Sequence, residues 1–417
     1  MSSFVQDIID RGFFYQCTAL DELKKISESG KICAYIGFDA TASSLHVGNL
    51  MQIMILRLLQ KHGHKPIVLI GGVTSLIGDP TGKDQLRKVL SEEDLEKNIQ
   101  GIKKSLSKFI KFGEGDSDAV ILNNSEWLNG VGYIEFLRDY GRLISVNKML
   151  TMDSVKSRLE REQQLTFLEF NYMLLQGYDF AHLFNKYNCI LQIGGSDQWG
   201  NILSGVELIH KKYHGQAFGL TTQLVTNSNG VKMGKSVNGA VWINDDMLSP
   251  YEYYQFWRNC DDRDIVRFAK LYAEFKEEET QEFIKISEID INKAKKDLAF
   301  RLTLMCHGEE EAINARDLSA KVFEQKSFSY DEISENVESI AIDKSLLEAG
   351  IAVSELLCIG GLCGSKSEAK NLIKGGGARV NDRKIENEHE IIKDSESVNG
   401  IIKLSAGKKK FSLIKVS

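Results

Sequence analysis

For about two hundred residues, short β-branched runs alternate with longer helical periodicities; after that the pattern turns helical. Phe4, Ile8 and Ile9, then Leu20, Leu23 and Ile26, recur at helical spacing, so residues 4–30 read as helix. Residues 32–38 form a β-branched and aromatic run that reads as a buried strand. A loop of small residues, 39–44, leads into a long apolar helix over 50–60, and a second strand follows over 67–70. Strand, helix and strand at this spacing predict a right-handed βαβ unit and hence a parallel sheet. An amphipathic helix is predicted over 92–112 and a third strand over 119–122. Residues 127–188 read as helical and interrupt the alternation. Residues 189–193 then give another buried strand, and 202–210 the helix of a second βαβ half. From Pro250 the chain is helical and acidic, and 326–345 are polar and Ser-rich, the pattern of a linker. Two short helices (352–357 and 367–373), a Gly-rich turn into a strand, and a β-hairpin close the chain.

Composition narrows this picture only slightly. A chain of 417 residues has room for two or three domains, and 26% charged with 42% hydrophobic residues is ordinary for a soluble globular protein. No apolar run approaches the ~18 residues of a membrane span, and the N-terminus lacks the basic-then-apolar pattern of a secretory signal. The seven cysteines show no CxxC spacing and no His/Cys cluster, which predicts reduced core thiols in a cytoplasm and no structural zinc. Charge adds one asymmetry. Residues 350–417 hold 12 Lys/Arg against 8 Asp/Glu, a basic tail on an acidic body, and that raises the question of nucleic acid.

The candidate chemistry begins with YIGFDATASSLHVGN, residues 35–49. Strand, tight loop and helix start present backbone N–H groups and a positive dipole end to phosphate. Gly48 removes a side chain where a nucleotide could approach the backbone, and His46 and Asn49, one turn apart, are expected to share a helix face. A first-turn His that merely caps the helix is the plainer alternative. In the loop GGVTSLIGDPTGKDQLRK, Asp79 could accept from a ligand ammonium or simply make an Asp-Pro turn; Lys83 and Arg87 sit one turn apart, and the P-loop order is absent. Tyr172, Gln176 and Asp179 fall at i, i+4 and i+7, either a solvated stripe or polar groups awaiting a polar substrate. In GGSDQWGN, Gly194 and Gly195 allow close approach, and Asp197 can accept from ribose hydroxyls. VKMGKS places Lys232, Lys235 and Ser236 in a Gly-containing loop about 185 residues after HVGN. Lys366, Lys370, Lys374, Arg379 and Arg383 either meet RNA phosphates or form an ordinary basic surface.

HVGN and KMGKS, in this order on an α/β pattern, resemble the HIGH and KMSKS signatures of class I aminoacyl-tRNA synthetases. The stretch around HVGN is similar to the bacterial-type tyrosyl group in particular. The resemblance covers nearly the whole chain, with one departure: the second signature histidine is Asn49, which can donate a hydrogen bond but never carry charge. It implies an α/β, Rossmann-like parallel-sheet catalytic domain over 1–228 with a helical insertion at about 124–188. After it would come the KMSKS-type loop and an α-helical anticodon-stem domain over 229–325, a linker over 326–346, and a small α+β RNA-binding domain of ribosomal-protein type over 347–417. It also implies a homodimer interface in the insertion, where Phe136, Leu137, Ile144 and Val146 are equally explicable as core.

The activity so implied joins L-tyrosine to ATP as tyrosyl adenylate, releases pyrophosphate, and transfers the tyrosyl group to the terminal adenosine of tRNA(Tyr). Mg²⁺ would accompany ATP without a dedicated protein site. By the same resemblance His46, Asn49, Thr41, Lys83, Arg87, Lys232, Lys235 and Ser236 stabilise the transferring phosphates. Gly37, Asp39, Gly48, Gly195, Asp197 and Lys235 hold ATP. Asp79, Tyr172 and Gln176 bind the substrate ammonium, Gln198 points back to the amino acid, and Tyr35 with Asp179 grips the phenolic hydroxyl. Two other readings stay open: a tryptophanyl ligase, which shares the nucleotide core, and a non-catalytic RNA-binding derivative of a synthetase.

Overall fold

The computed structural model describes residues 3–77, 91–228, 230, 233–236, 239–322, 339–407 and 410–416, with residues 153, 154, 235, 236 and 410 in backbone only. They form two compact units. The first comprises residues up to Lys235 together with Val241–Asn244 and Asp261–Glu288; the second comprises Ser236–Ala240, Asp245–Cys260 and the chain from Ile289 onward.

The first unit is built on a six-stranded sheet: β1 (Phe14–Cys17), β2 (Cys33–Phe38), β3 (Lys65–Ile70), β4 (Val120–Asn123), β5 (Cys189–Gly195) and β6 (Phe218–Thr222). Their order is β1-β6-β5-β2-β3-β4. Five strands are parallel, as the βαβ spacing requires, and β1 runs antiparallel to β6 at the edge. The expectation of helix across residues 4–30 is therefore corrected. Helices Phe4–Asp10 and Leu20–Ser29 flank a four-residue edge strand whose Tyr15 and Gln16 interrupt the helical periodicity. From β2 the chain proceeds outward through β3 and β4, then returns to the other side of β2 as β5 and β6. This reversal opens a crevice at the carboxyl ends of β2 and β5, where ligands of open α/β sheets bind.

The Leu50–Lys61 helix is apolar on nearly all sides and accordingly buried, from Leu50 through Leu59. Its far end is tied down by Glu274, whose carboxylate takes Arg57 at 2.9 Å and Lys61 at 3.0 Å. The expected insertion is helical, ending in the 21-residue helix Phe167–Tyr187 with a Thr166/Glu169 capping box.

In the second unit, helices Pro250–Arg258, Ile291–His307 and Glu309–Ala320 pack together around Tyr253, Trp257, Leu298 and Leu302. His307 ends its helix against Gly308, as its position suggests. The last module has a five-stranded sheet that begins earlier than the sequence indicated. Ser339–Ile342, expected in the linker, pairs parallel to Lys410–Val416, and Lys344–Ala349 is helical. The remainder of that expected linker, 326–338, lies outside the described residues. The polar run hid the short SIAI strand, whose Ile342 joins Leu347, Ile402, Leu404 and Ile414 in one core.

Ile342→Ala should therefore lower the opening free energy of this sheet by about 2–5 kcal/mol, read by hydrogen exchange of the Ile401–Ala406 amides. A linker residue would shift it by less than about 0.5 kcal/mol.

Candidate active site

The loop leaving β2 is held rigidly. Ala40 N–H donates to Ser75 Oγ at 2.8 Å, and Ala40 O accepts from Asn98 Nδ2 at 2.9 Å. Gly37 and Thr41 are exposed and Asp39 is half-buried, all at the carboxyl end of β2. His46 then takes an extended conformation (φ −121°, ψ 169°) and caps a 3₁₀ turn, Val47–Asn49, that starts the apolar helix. Gly48 N–H donates to His46 Nδ1 at 3.1 Å, and His46 N–H donates to Asn49 Oδ1 at 3.1 Å. The expectation that His46 and Asn49 project side by side from one helix face is corrected: a capping residue lies before the helix, in β-region backbone. With Nδ1 accepting, the neutral imidazole carries its proton on Nε2, and Asn49 keeps its amide N–H groups for another acceptor.

The two signature segments converge. Leu45–Val47 pairs antiparallel with Val241–Ile243 through Val47 N–H to Val241 O and Ile243 N–H to Leu45 O, both 2.9 Å, with His46 opposite Trp242. Val241 N–H in turn donates to Gly234 O at 3.1 Å. Gly234 has φ +103°, and a Cβ on it would lie 2.7 Å from His46 Nδ1; a Cβ on Gly48 would lie 2.6 Å from Met233 O. The backbone of Met233-Gly234 thus packs directly on His46 and Gly48, an approach only glycine permits. Lys232, like Asp79, Lys83 and Arg87, lies outside the described residues. Lys235 and Ser236 are described as strand backbone.

At the crevice floor, Tyr35 on β2 and Gln192 on β5 are register neighbours, and both are buried. Neither the Tyr35 hydroxyl nor Gln192 Oε1 has a hydrogen-bond partner among the described residues. Asp179, only 2% exposed, accepts from Asn124 Nδ2 at 2.9 Å and from Trp127 Nε1 at 2.7 Å. Burial pushes its carboxyl up to about 7, with those two donors pulling the other way. Burial and the charge of Asp179 together push the Tyr35 phenol well above its ordinary value. Behind them, Trp127 stacks on His182 at 4.3 Å and Tyr35 leans on Phe180. Burial also excludes the solvated-stripe alternative, since Tyr172 is buried with Asp179 and Gln176 is half-buried. Gln176 Nε2 donates to Gln198 Oε1 at 3.3 Å, and Asn201 Nδ2 bridges Gln176 Oε1 and Gln198 Oε1 at 3.1 and 3.2 Å. Asp197 is exposed on the turn after β5, and a Cβ at Gly195 would meet its carboxylate at 2.7 Å.

Asn124, Trp127, Gln192 and Asn201 were not singled out from the sequence. Gln192 sits inside an apolar strand run and Trp127 reads as core. Asn201 follows the chosen Asp197-Gln198 pair by one helical turn, which was a usable signal.

The basic residues of the last module are engaged within it. Lys366 pairs with Glu355 and Lys374 with Glu388, both at 3.1 Å, while Arg383 spans Glu390 (2.6 Å) and Glu396 (2.7 Å). Arg379 donates to Asp382 O at 3.1 Å, and Lys370 exerts a through-space pull on Glu388. These pairs are largely exposed and exchange at little cost. Among the described residues, no three His, Cys, Asp or Glu side chains converge as a metal site, and no helix is long and apolar enough to cross a membrane.

A family profile described as tRNA synthetases class I (W and Y) matches residues 27–324. The tyrosine–tRNA ligase of Rickettsia conorii (strain ATCC VR-613 / Malish 7) is 58% identical over 414 residues, 99% of this chain and 100% of the relative. The fold is similar to a C-terminally truncated Aspergillus nidulans mitochondrial tyrosyl-tRNA synthetase, with TM-score 0.71 and 29% identity over 78% of this chain and 95% of that one. At 14% identity, the Aeropyrum pernix K1 tryptophanyl-tRNA synthetase shares the fold, with TM-score 0.56 over 77% and 89% of the two chains.

The buried acid makes a pH prediction. Between an unfolded carboxyl near 3.9 and the folded value of about 7, the folded protein holds a proton that the unfolded chain has released. Stability therefore falls as pH rises through that window. Asp179→Asn cannot ionise, so in urea unfolding its stability relative to wild type should rise by roughly 2 kcal/mol from about pH 5 to about pH 8. A difference that stays constant or shrinks would contradict the buried position.

Proposed function

The chain belongs to the class I tRNA synthetases of the tryptophan and tyrosine group, and from that premise we propose that it is a tyrosine–tRNA ligase. The observation that carries the tyrosine assignment is the buried Tyr35 hydroxyl, without a hydrogen-bond partner among the described residues and within the field of Asp179. A substrate phenol satisfies both, donating to the Asp179 carboxylate and accepting from Tyr35. An indole N–H could donate to Asp179 but has nothing to offer the Tyr35 hydroxyl, and phenylalanine answers neither. Leaving such buried groups unpaired is costly. The tryptophanyl reading is disfavoured for that reason.

In the first step the tyrosine carboxylate is itself the nucleophile. It attacks the ATP α-phosphorus, the bond to the β-phosphate oxygen breaks, and pyrophosphate leaves. The protein's contribution is positioning and charge stabilisation. His46 Nε2–H, the Asn49 amide and Thr41 face the phosphates, and Gly48 lets them approach. Lys83, Arg87, Lys232, Lys235 and Ser236 follow the departing pyrophosphate. Gly37, Asp39, Gly195 and Asp197 hold the nucleoside, and Mg²⁺ travels with the ATP phosphates. Asp79, Tyr172 and Gln176 hold the substrate ammonium; Gln198, tied to Gln176 through Asn201, orients the amino acid. In the second step the tyrosyl group passes to a ribose hydroxyl of the terminal adenosine of tRNA(Tyr). The acidic helices after residue 250 and the basic module from 339 onward offer the RNA contacts, Lys366, Lys370, Lys374, Arg379 and Arg383 exchanging their carboxylate partners for phosphates. The presence of Lys232, Lys235 and Asp197 in the sequence argues against a merely RNA-binding role.

The same reading places the protein in the cytoplasm as a homodimer. Support for the dimer comes from apolar side chains left exposed between residues 133 and 168, among them Ile134 (72%), Phe167 (67%) and Val146 (57%). Phe136 is instead packed against Tyr140 and Tyr178.

Tyrosine-dependent ATP–pyrophosphate exchange tests the assignment. Wild type should exchange with tyrosine and not with tryptophan. Tyr35→Phe should lower kcat/KM for tyrosine relative to phenylalanine by about tenfold or more. An unchanged ratio would refute the role of the hydroxyl.

A further inference from the structure

Away from the residues that face the crevice, the described residues of the first unit include an enclosed polar node that lies where the two signature segments are joined. Asn244 and Ser105 are both 0% exposed, and Ser44 is 3% exposed. Asn244 Oδ1 accepts from Ser105 Oγ at 2.9 Å. Its Nδ2 donates to Gly101 O at 2.9 Å and Ser43 O at 3.1 Å, and its backbone N–H donates to Ser44 Oγ at 3.1 Å. Ser105 Oγ also accepts from Leu45 N–H at 3.1 Å. From the segment that follows the KMGKS loop, one amide side chain therefore binds two other stretches: the loop before His46 and the Glu92–Ser107 helix. The helix can come this close because Gly101 faces the loop backbone; a Cβ there would lie 1.9 Å from Ser43 O.

The node ends the short ladder described above. Ser44–Asn244 is the next rung after Leu45–Ile243 and Val47–Val241, and on the other side Val241 holds Gly234. A ladder this short has little to fix its register, because its two backbone rungs would form equally well after a slip. Asn244 supplies what the rungs lack, since its donors and acceptor are matched to partners that exist at a single register.

We propose that Asn244 is a positioning residue for adenylate formation: with Ser105 and Ser44 it sets the register that seats Gly234 on His46. It touches neither substrate, and acts through the backbone of the loop. The proposal rests on the ligase reading above, and its test separates the two.

The full chain carrying Asn244→Ala is compared with wild type in tyrosine-dependent pyrophosphate exchange at varied ATP, and tyrosine affinity is measured by equilibrium dialysis without ATP. The expected result is a fall in kcat of about tenfold or more with tyrosine affinity changed by less than about twofold. A fall in kcat matched by an equal loss of tyrosine affinity would show a general structural role and overturn the proposal, as would an unchanged kcat. If Asn244→Ala does not fold, Ser44→Ala leaves the Asn244 amide in place, removes the terminal rung together with the Ser44 hydroxyl's bond to Leu45 O, and should show the same split at smaller size; unchanged kcat there overturns the proposal. Wild type that exchanges with no amino acid would instead overturn the ligase reading itself.

Discussion

The contact on which the rest of the site depends is a close backbone approach. Met233-Gly234 lies on the His46 imidazole and on Gly48, at distances that leave no room for a Cβ on either glycine. Two segments about 185 residues apart are thereby brought against one another. The capping box engages His46 Nδ1 and Asn49 Oδ1, and the close approach sets the backbone that leads into Lys235 beside them. A glycine with φ +103° gives this loop a conformation that other residues rarely adopt.

The other constraint is dielectric. Asp179 is an acid almost without solvent, its carboxyl pushed up by burial against the opposing pull of donors from Asn124 and Trp127, and it acts on a tyrosine hydroxyl that has no hydrogen-bond partner among the described residues. Such a cluster lowers the stability of the folded chain, and it is the sort of local inconsistency that functional sites retain. The fold supports it by placing Tyr35 and Gln192 on adjacent strands at the point where strand order reverses. The buried acid-and-phenol cluster and the loop that leads to His46 therefore both depend on β2.

Most of this was legible in the sequence for physical reasons. The parallel core announced itself through buried runs such as 32–38 and 189–193, and the polar stripe Tyr172–Gln176–Asp179 stood out against an apolar helix. Local geometry was harder. His46 and Asn49 were read as neighbours on a helix because their spacing is helical, whereas capping puts His46 outside the helix. The edge strand Phe14–Cys17 and the strand Ser339–Ile342 are four residues each, too short for periodicity to show against helical and polar surroundings. Asn124 and Asn244 carry no local signal of their surroundings, because their partners arrive from distant parts of the chain. Ion pairing of Lys366, Lys374 and Arg383 with their own module's carboxylates is likewise invisible until the sheet is formed.

The central claim is that the glycine backbone of one segment must rest on the histidine of the other for phosphate chemistry to proceed. The most direct measurement is the single-turnover rate of tyrosyl adenylate formation in Gly234→Ala, taken beside tyrosine affinity. The account predicts a rate lower by about tenfold or more, with affinity for tyrosine retained. A Gly234→Ala protein that forms adenylate at the wild-type rate would contradict it.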